Sequence, residues 1–423
     1  METFFSKIRI MMADRSLLKK IGFVFFILLL VRAGGAVPIP GVDVTRLSSF
    51  LSGNQFFGLL NIFSGGGLSN LSIFMLGVGP YITASIIMQL LTIVFPKLKE
   101  AYQEGGEAGR KKFAQYSRMI SIPLAVIQGL GLLTILRQQG ILGDITVMQN
   151  LVNVAVITAG ATLVMWLGEL ATAYGISNGT SLIIFAGIVS GIPAQIQAAA
   201  VNFSPADIPI YAAFFAIAIA IIAAVVIITE AERPIPITYA KRIRGNRVFG
   251  GVSTHLPLRV NQAGVVPIIF ALSILLFPQI IASFLSGIDQ VYVQMVAQFI
   301  KDAISNTWVY GGSYFILVFL FTYFYTAVTF DPEAISENLQ KSGAFIPGIR
   351  PGRSTAEYLS SVTTRLTLVG ALFLSIIAVL PIVMQSLTGQ QSLAIGGTAM
   401  LIVVSVVLDL VKQLDAQISM REY

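Results

Sequence analysis

Apolar residues in this chain come in long blocks broken by short polar interruptions, and the blocks are too long and continuous for a water-soluble core. A run of about 18 apolar residues marks a membrane-crossing helix. Ten such stretches are expected, at about 21 to 37, 71 to 95, 116 to 136, 151 to 173, 180 to 200, 208 to 229, 263 to 285, 308 to 330, 363 to 384 and 393 to 413. Between the first two lies a block of another kind. "FFGLLNIFSGGGLSN", Phe56 to Asn70, is apolar at first and then dissolves into Gly65, Gly66 and Gly67. An apolar helix of about eight residues reaches only about 12 Å, against about 30 Å of hydrocarbon. It is too greasy for water and too short to span.

Charge orients the blocks. With both termini and the even-numbered connections on one side, that side collects 23 of the 27 Lys and Arg residues, and only Arg32, Arg46, Arg137 and Lys301 fall opposite. The positive-inside rule then puts both termini in the cytoplasm. The same split supports the count of ten, since one missed span would invert every later connection.

Composition agrees. The 423 residues are 55% hydrophobic and 11% charged, with mean hydropathy +0.82, whereas a soluble domain carries about 25% charged residues. The chain reads as an integral membrane protein. There is no cysteine and a single histidine, His255, so disulfides and thiolate metal sites are excluded and a histidine metal site has no support. The charged stretch "KIRIMMADRSLLKK" resembles the start of a signal peptide. It is read instead as the lead into a retained first span, because "VPIPG" follows that span without an A-x-A cleavage site.

The basic residues concentrate in two long connections. Residues 230 to 262 contain "TYAKRIRGNRVFGG", whose polar and apolar alternation broken by "RGN" predicts a β-hairpin bearing Lys241, Arg242, Arg244 and Arg247. Residues 331 to 362 contain "SGAFIPGIRPGRS", a stiff Pro- and Gly-rich segment projecting Arg350 and Arg353. Positive-inside topology and attraction to anionic lipid account for such loops in general. Loops of this length in a compact protein are more often functional, and basic protrusions suit a large acidic partner, RNA or protein. Spacing does not separate those two.

Catalytic and ion-coupled chemistry leaves little trace. The charged residues within or beside the spans are Arg32, Arg118, Glu169, Arg365, Asp409 and Lys412, all near span ends. Uncharged span centres argue against a proton relay or an Asp/Glu cation site. "GGEAGRKK" lacks the leading glycine and the Ser or Thr of a phosphate loop, having Glu104 and Phe113 there. Gly187 to Gly191 is a GxxxG that reads as helix packing. What remains is neutral: Gln89, Thr92, Gln128, Asn261 and Gln262. Such residues glue helices together, and a seam that opens and closes would use the same types.

Four stretches carry a family resemblance: "GVGPYITASIIMQLL" (77 to 91), "GISNGTSLIIFAGIVSGIP" (175 to 193), "YAKRIRGNRVFGGVSTHLPLRVNQAGVVPIIFA" (239 to 271) and "ENLQKSGAFIPGIRPGRSTAEYL" (337 to 359). They resemble the bacterial SecY family, channel subunits of the general protein-secretion translocon. The resemblance implies an all-α polytopic fold with ten transmembrane helices in two pseudo-symmetric inverted halves, 1–200 and 201–423. It implies a protein-conducting channel in the bacterial cytoplasmic membrane that passes unfolded polypeptide and releases membrane segments sideways into lipid. It implies no enzymatic activity and no cofactor.

Carried onto this sequence, the family's apolar constriction falls on Ile82, Ile86, Ile184, Ile188, Ile269 and Ile402. Ile82/Ile86 and Ile184/Ile188 are i, i+4 pairs, so each pair shares a helix face. A plug would be the short re-entrant helix at about 56–70, with Phe57, Leu60, Ile62 and Phe63 against the ring and Gly65, Gly66 and Gly67 as its hinge. A lateral gate would run between spans 2 and 3 and spans 7 and 8, with Gln89, Gln128 and Asn261 on the seam. The basic loops would dock the SecA motor and ribosomes, and SecE and SecG would be companion subunits. One departure is Pro234, where many relatives carry the second of two adjacent arginines. A secondary transporter, which also uses inverted repeats and broken helices, is the rival reading and would need midplane charge. A membrane-anchored scaffold would need neither a ring nor a seam.

Overall fold

A computed structural model describes residues 14–40, 61, 64, 66–103, 105–143, 146–201, 208–239, 242–244, 247–249, 253–288, 290–388 and 396–419. Its helices are α1 (Arg15–Gly34), α2 (Gly79–Val94), α3 (Pro96–Gln103), α4 (Gly106–Gln138), α5 (Val147–Tyr174), α6 (Gly179–Val201) and α7 (Ile208–Glu230). They continue as α8 (Val266–Leu285), α9 (Val291–Ser305), α10 (Thr307–Thr329), α11 (Pro332–Lys341), α12 (Arg353–Thr388) and α13 (Gly396–Ser419). Each expected span overlaps one of these helices. Among the described residues, five stretches meet the length and hydropathy of a bilayer crossing: α4, α5, α8, α12 and Thr307–Lys341, which contains α10.

Two helix groups emerge from the packing. In the first, α2 lies on α4 and α5, α4 on α5, and α1 and α6 on α5. In the second, α8 and α12 flank α10, while α13 packs on α7 and α12. The groups meet along two seams: α8 against α2 and α4, and α13 against α6. Along the first, α4 and α8 approach so closely that a Cβ on Gly131 would lie 2.8 Å from Ile280 Cγ2. A hydroxyl also pins the second, where Ser177 donates to Asp409 of α13 at 3.1 Å.

The stretch before α2 departs from the expected span. Helix begins only at Gly79, with Pro80 in its first turn, and 71–78 is a chain of turns with Leu71 at φ 40° and Gly77 at φ 52°. Yet Leu68, Leu71, Phe74, Met75, Leu76 and Val78 are all almost completely buried. Irregular backbone at this depth must satisfy its polar groups within the protein. Here Ile39 N–H donates to Leu71 O at 2.8 Å, Ile73 N–H to Val37 O at 3.0 Å, and Ser72 N–H to Gly67 O at 2.9 Å. Absent side chains make room for it: a Cβ on Gly160 of α5 would collide with the Ile73 carbonyl, and one on Gly34 of α1 with the Phe74 ring.

At one end of the helices sits a small sheet of order β4-β1-β5, formed by β1 (Glu232–Tyr239), β4 (Ser253–Arg259) and β5 (Ala344–Phe345). β1 pairs antiparallel with β4, Ile235 opposite Leu256, and its last two residues pair with β5. Alternation buries Ile235 and Ile237 and turns Pro234 and Pro236 outward, Pro234 opposite Pro257. The expected hairpin is present as β2 (Arg242–Arg244) and β3 (Arg247–Phe249), with Arg244 opposite Arg247. Ile235, Ile237, Leu258, Ala344, Ile346, Leu359 and Val362 form a core separate from that of the helices. The two basic loops are therefore one folded body.

The tight approach at Gly160 is testable. Gly160→Ala forces a methyl into backbone that cannot yield, at a cost of about 1–3 kcal/mol. A lowered thermal midpoint in detergent is expected, whereas Gly312→Ala, with open space around it, leaves the midpoint unchanged or raised.

Candidate functional site

The six isoleucines assigned to the constriction lie on the helices that meet across the seams: Ile82 and Ile86 on α2, Ile184 and Ile188 on α6, Ile269 on α8 and Ile402 on α13. Ile86, Ile184, Ile188 and Ile402 are buried, Ile82 and Ile269 partly so, and all six belong to one continuous apolar cluster. That cluster also holds Leu68, Leu71 and Met75 of the irregular stretch. Helices α2, α6, α8 and α13, drawn from both groups, each contribute isoleucine to that cluster.

The plug assignment falls mostly outside the described residues: Phe57, Leu60, Ile62, Phe63 and Gly65 cannot be placed. Gly66 and Gly67 are described, in turn and not helix. Each has its own local reason to be glycine. Gly66 takes φ 82°, a conformation that favours glycine. Gly67 serves close approach, since its Cβ would lie 2.7 Å from the Phe74 carbonyl oxygen. Nearby, Arg32 at the end of α1 donates to Ser190 of α6 at 3.3 Å, beside Gly66.

Of the three polar residues expected on the gate, Gln89 is on α2, Gln128 on α4 and Asn261 just before α8, and the bonds that Gln128 and Asn261 make do not join α2 or α4 to α8. Gln128 of α4 is buried and donates to Thr83 of α2 at 3.3 Å, within one group. Asn261 donates to Gly264 O at 3.2 Å, closing its own turn, while its carbonyl oxygen is buried without a partner. Gln89 is half-buried with an unpartnered carbonyl oxygen. A bond that does cross is made by Gln138, the last residue of α4, which donates to Ser283 O at 3.3 Å and Ser286 Oγ at 3.2 Å. Lys301 of α9 reaches the same Ser286 Oγ at 3.1 Å. Gln138 follows Arg137 in what the sequence marks only as a polar connection, so no pattern singles it out. This clasp lies at the end of α8 opposite the sheet.

Of the docking residues, Arg350 is exposed between two left-handed glycines, Gly348 at φ 84° and Gly352 at φ 96°. Its carbonyl accepts from Thr355 Oγ1 at 2.9 Å, and Ser336 of α11 donates to Gly352 O at 2.6 Å. The backbone is thus fixed while the guanidinium projects. Arg353 is also exposed and pairs with Glu357 at 3.1 Å, one turn along α12, a surface contact worth a few tenths of a kcal/mol. Arg242, Arg244 and Arg247 lie on the β2–β3 backbone, and Lys241 falls outside the described residues. Among the described residues no group of His, Asp and Glu is arranged to hold a metal. Of the ionic groups near span ends, Arg118 pairs with Glu169 and Lys412 with Glu230.

Comparison with known proteins agrees with this geometry. The family model for SecY matches residues 72–411. Protein translocase subunit SecY of Mycobacterium bovis is 43% identical, with 96% of each chain covered. That of Streptomyces galbus is 42% identical, covering 96% of this chain and 95% of the relative. Among solved structures, one described as a protein conducting channel aligns with TM-score 0.64 at 19% identity, over 94% of this chain and 91% of that one. Sec61 in the canine ribosome-channel complex aligns with TM-score 0.62 at 18% identity over the same shares. The chain belongs to the SecY family.

Proposed function

We propose that this chain is the channel-forming subunit of a protein translocase, passing unfolded polypeptide between its two helix groups and releasing apolar segments sideways into lipid. The observation that carries this reading is the isoleucine cluster. Helices from both sides of the two seams contribute isoleucines to one apolar cluster, which supports a constriction that closes without hydrogen bonds. The chain is a conduit and not a catalyst, and the energy for threading comes from partners. A secondary transporter finds no support, because the ionic groups sit at span ends and not around a midplane site.

The finer assignments belong to the same reading. Ten membrane crossings divide into halves 1–200 and 201–423, both termini face the cytoplasm, and the membrane is the bacterial cytoplasmic one. The segment at about 56–70 acts as the plug, with 66–78 as its buried root. Gln89, Gln128 and Asn261 line the lateral gate, and Gln138 fastens the end of that gate away from the sheet. The two basic loops, through Lys241, Arg242, Arg244, Arg247, Arg350 and Arg353, receive the SecA motor and the ribosome. SecE and SecG complete the complex.

A chain without cysteine makes the central test direct. With a single cysteine at Ile188 and another in a stalled secretory polypeptide, oxidation should yield a disulfide between the two. Crosslinks at lipid-facing controls such as Phe215 but at none of the six isoleucines would overturn the channel reading.

Charge reversal tests the platform. Like-charge juxtaposition at a docking face costs several kcal/mol, so Arg350→Glu should weaken motor-driven transport at least roughly thirtyfold, corresponding to about 2 kcal/mol. Membrane insertion of the variant should remain normal. Undiminished transport would remove Arg350 from the docking role.

The seam gives a third test. A side chain at position 131 must push α8 from α4, and a wedge of about 1–3 kcal/mol would raise the population of an open seam roughly 5- to 150-fold. Gly131→Leu should therefore increase resting ion leak through reconstituted vesicles, whereas Gly143→Leu, in open space, should not.

A further inference from the structure

Helix α9 has no counterpart in the hydropathy pattern of the spans, and its surface divides into three faces. Ala297 is buried and Ile304 packs against the main core, so one face rests on the protein. Gln294, Gln298, Asp302 and Ser305 form an exposed polar edge, on which Gln298 donates to Asp302 at 2.9 Å. Helical spacing brings Tyr292, Met295, Val296 and Phe299 together on the third face, and all four are open, with Tyr292 84% and Phe299 73% exposed. An amphipathic helix ordinarily has one apolar face, turned to its own core. This one has a second, facing away.

Position identifies what covers it. α9 connects the ends of α8 and α10 remote from the sheet, with Asn306 alone separating it from α10. Those ends carry their own exposed apolar residues: Ile281 and Phe284 on α8, Ile288 beyond it, and Trp308 and Val309 opening α10. The open face of α9 thus continues the apolar surface that α8 and α10 turn to hydrocarbon. Fifteen residues make about 22 Å of helix, too short to cross about 30 Å of hydrocarbon. Tyr292 and Trp308 are the amphipathic aromatics that settle at a membrane–water boundary. Cationic residues are missing from the open face, and the ammonium of Lys301, the helix's one cation, is turned to Ser286.

We infer that α9 lies in the surface of the lipid leaflet remote from the sheet, its Tyr292, Met295, Val296 and Phe299 face seated among acyl chains. The inference rests on the multi-pass membrane reading and goes beyond the channel assignment. Attachment is apolar and does not depend on anionic headgroups. Because Lys301 and Gln138 share Ser286, the helix held by lipid is also joined to the clasp between α4 and α8.

The test uses single cysteines in the full chain, purified with whatever subunits accompany it and reconstituted into vesicles. An environment-sensitive fluorophore is attached to Phe299→Cys, Met295→Cys or Gln298→Cys, and the acyl chains are brominated near the headgroup. Phe299 and Met295 labels should be quenched by the brominated lipid severalfold more than the Gln298 label, equally in zwitterionic and anionic vesicles. The Gln298 label should instead be quenched by aqueous iodide. Two sites report the same face, so misfolding of one variant leaves the other. Labels at 295 and 299 quenched only by iodide would overturn the proposal. So would shielding from both quenchers, the sign of a protein partner on this face, or quenching that requires anionic lipid. None of these readouts involves transport, so failure here and failure of the channel reading are separable.

Discussion

Hydrocarbon offers no partner for a free amide or carbonyl, and this constraint governs the structure most visibly where the chain abandons helix. Residues 66–78 are irregular yet deeply buried. They persist there because Val37, Gly67 and Leu71 supply acceptors from within the chain and because α1 and α5 withdraw their side chains at Gly34 and Gly160. An open bilayer would charge several kcal/mol for each unpaired group. The helix groups must therefore be assembled around this stretch, and the apolar cluster that joins it to the isoleucines follows from that enclosure.

Two kinds of contact join the helix groups. One is the apolar cluster to which helices of both groups contribute. At the ends, closure is polar and specific: Gln138 on Ser286 along one seam, Ser177 on Asp409 along the other. The first kind of contact has no preferred direction. The second defines a single resting arrangement. A channel that must accept sequences of every composition needs adaptability at its waist and definition at its edges.

Much of this was legible in the sequence, for reasons that differ from place to place. Long apolar runs force helix in hydrocarbon, and each expected span overlaps one. The β2–β3 hairpin followed from local alternation around "RGN". By contrast, the longer β1–β4 pairing brings together residues separated by that hairpin, and Pro234 and Pro236 disguise β1 as a loop. The late start of α2 is a tertiary effect: residues 71–78 are as apolar as a helix would be, but burial against α5 and Gly77 favour turns. The polar residues expected on a gate are picked out by type alone, and the bonds they make are not, since a glutamine's partner is a matter of three-dimensional register. Helix α9 was passed over because hydropathy windows tuned to spans discard a fifteen-residue segment interrupted by glutamines.

The small sheet has a mechanical meaning. β1 leaves α7, β4 enters α8, and β5 lies between α11 and α12, so one hydrogen-bonded body grips the ends of four helices. Its core includes Leu359 and Val362 from α12 itself. A load applied at Arg350 is therefore not absorbed by a slack loop. It arrives as torque on a stiff handle attached to the second helix group.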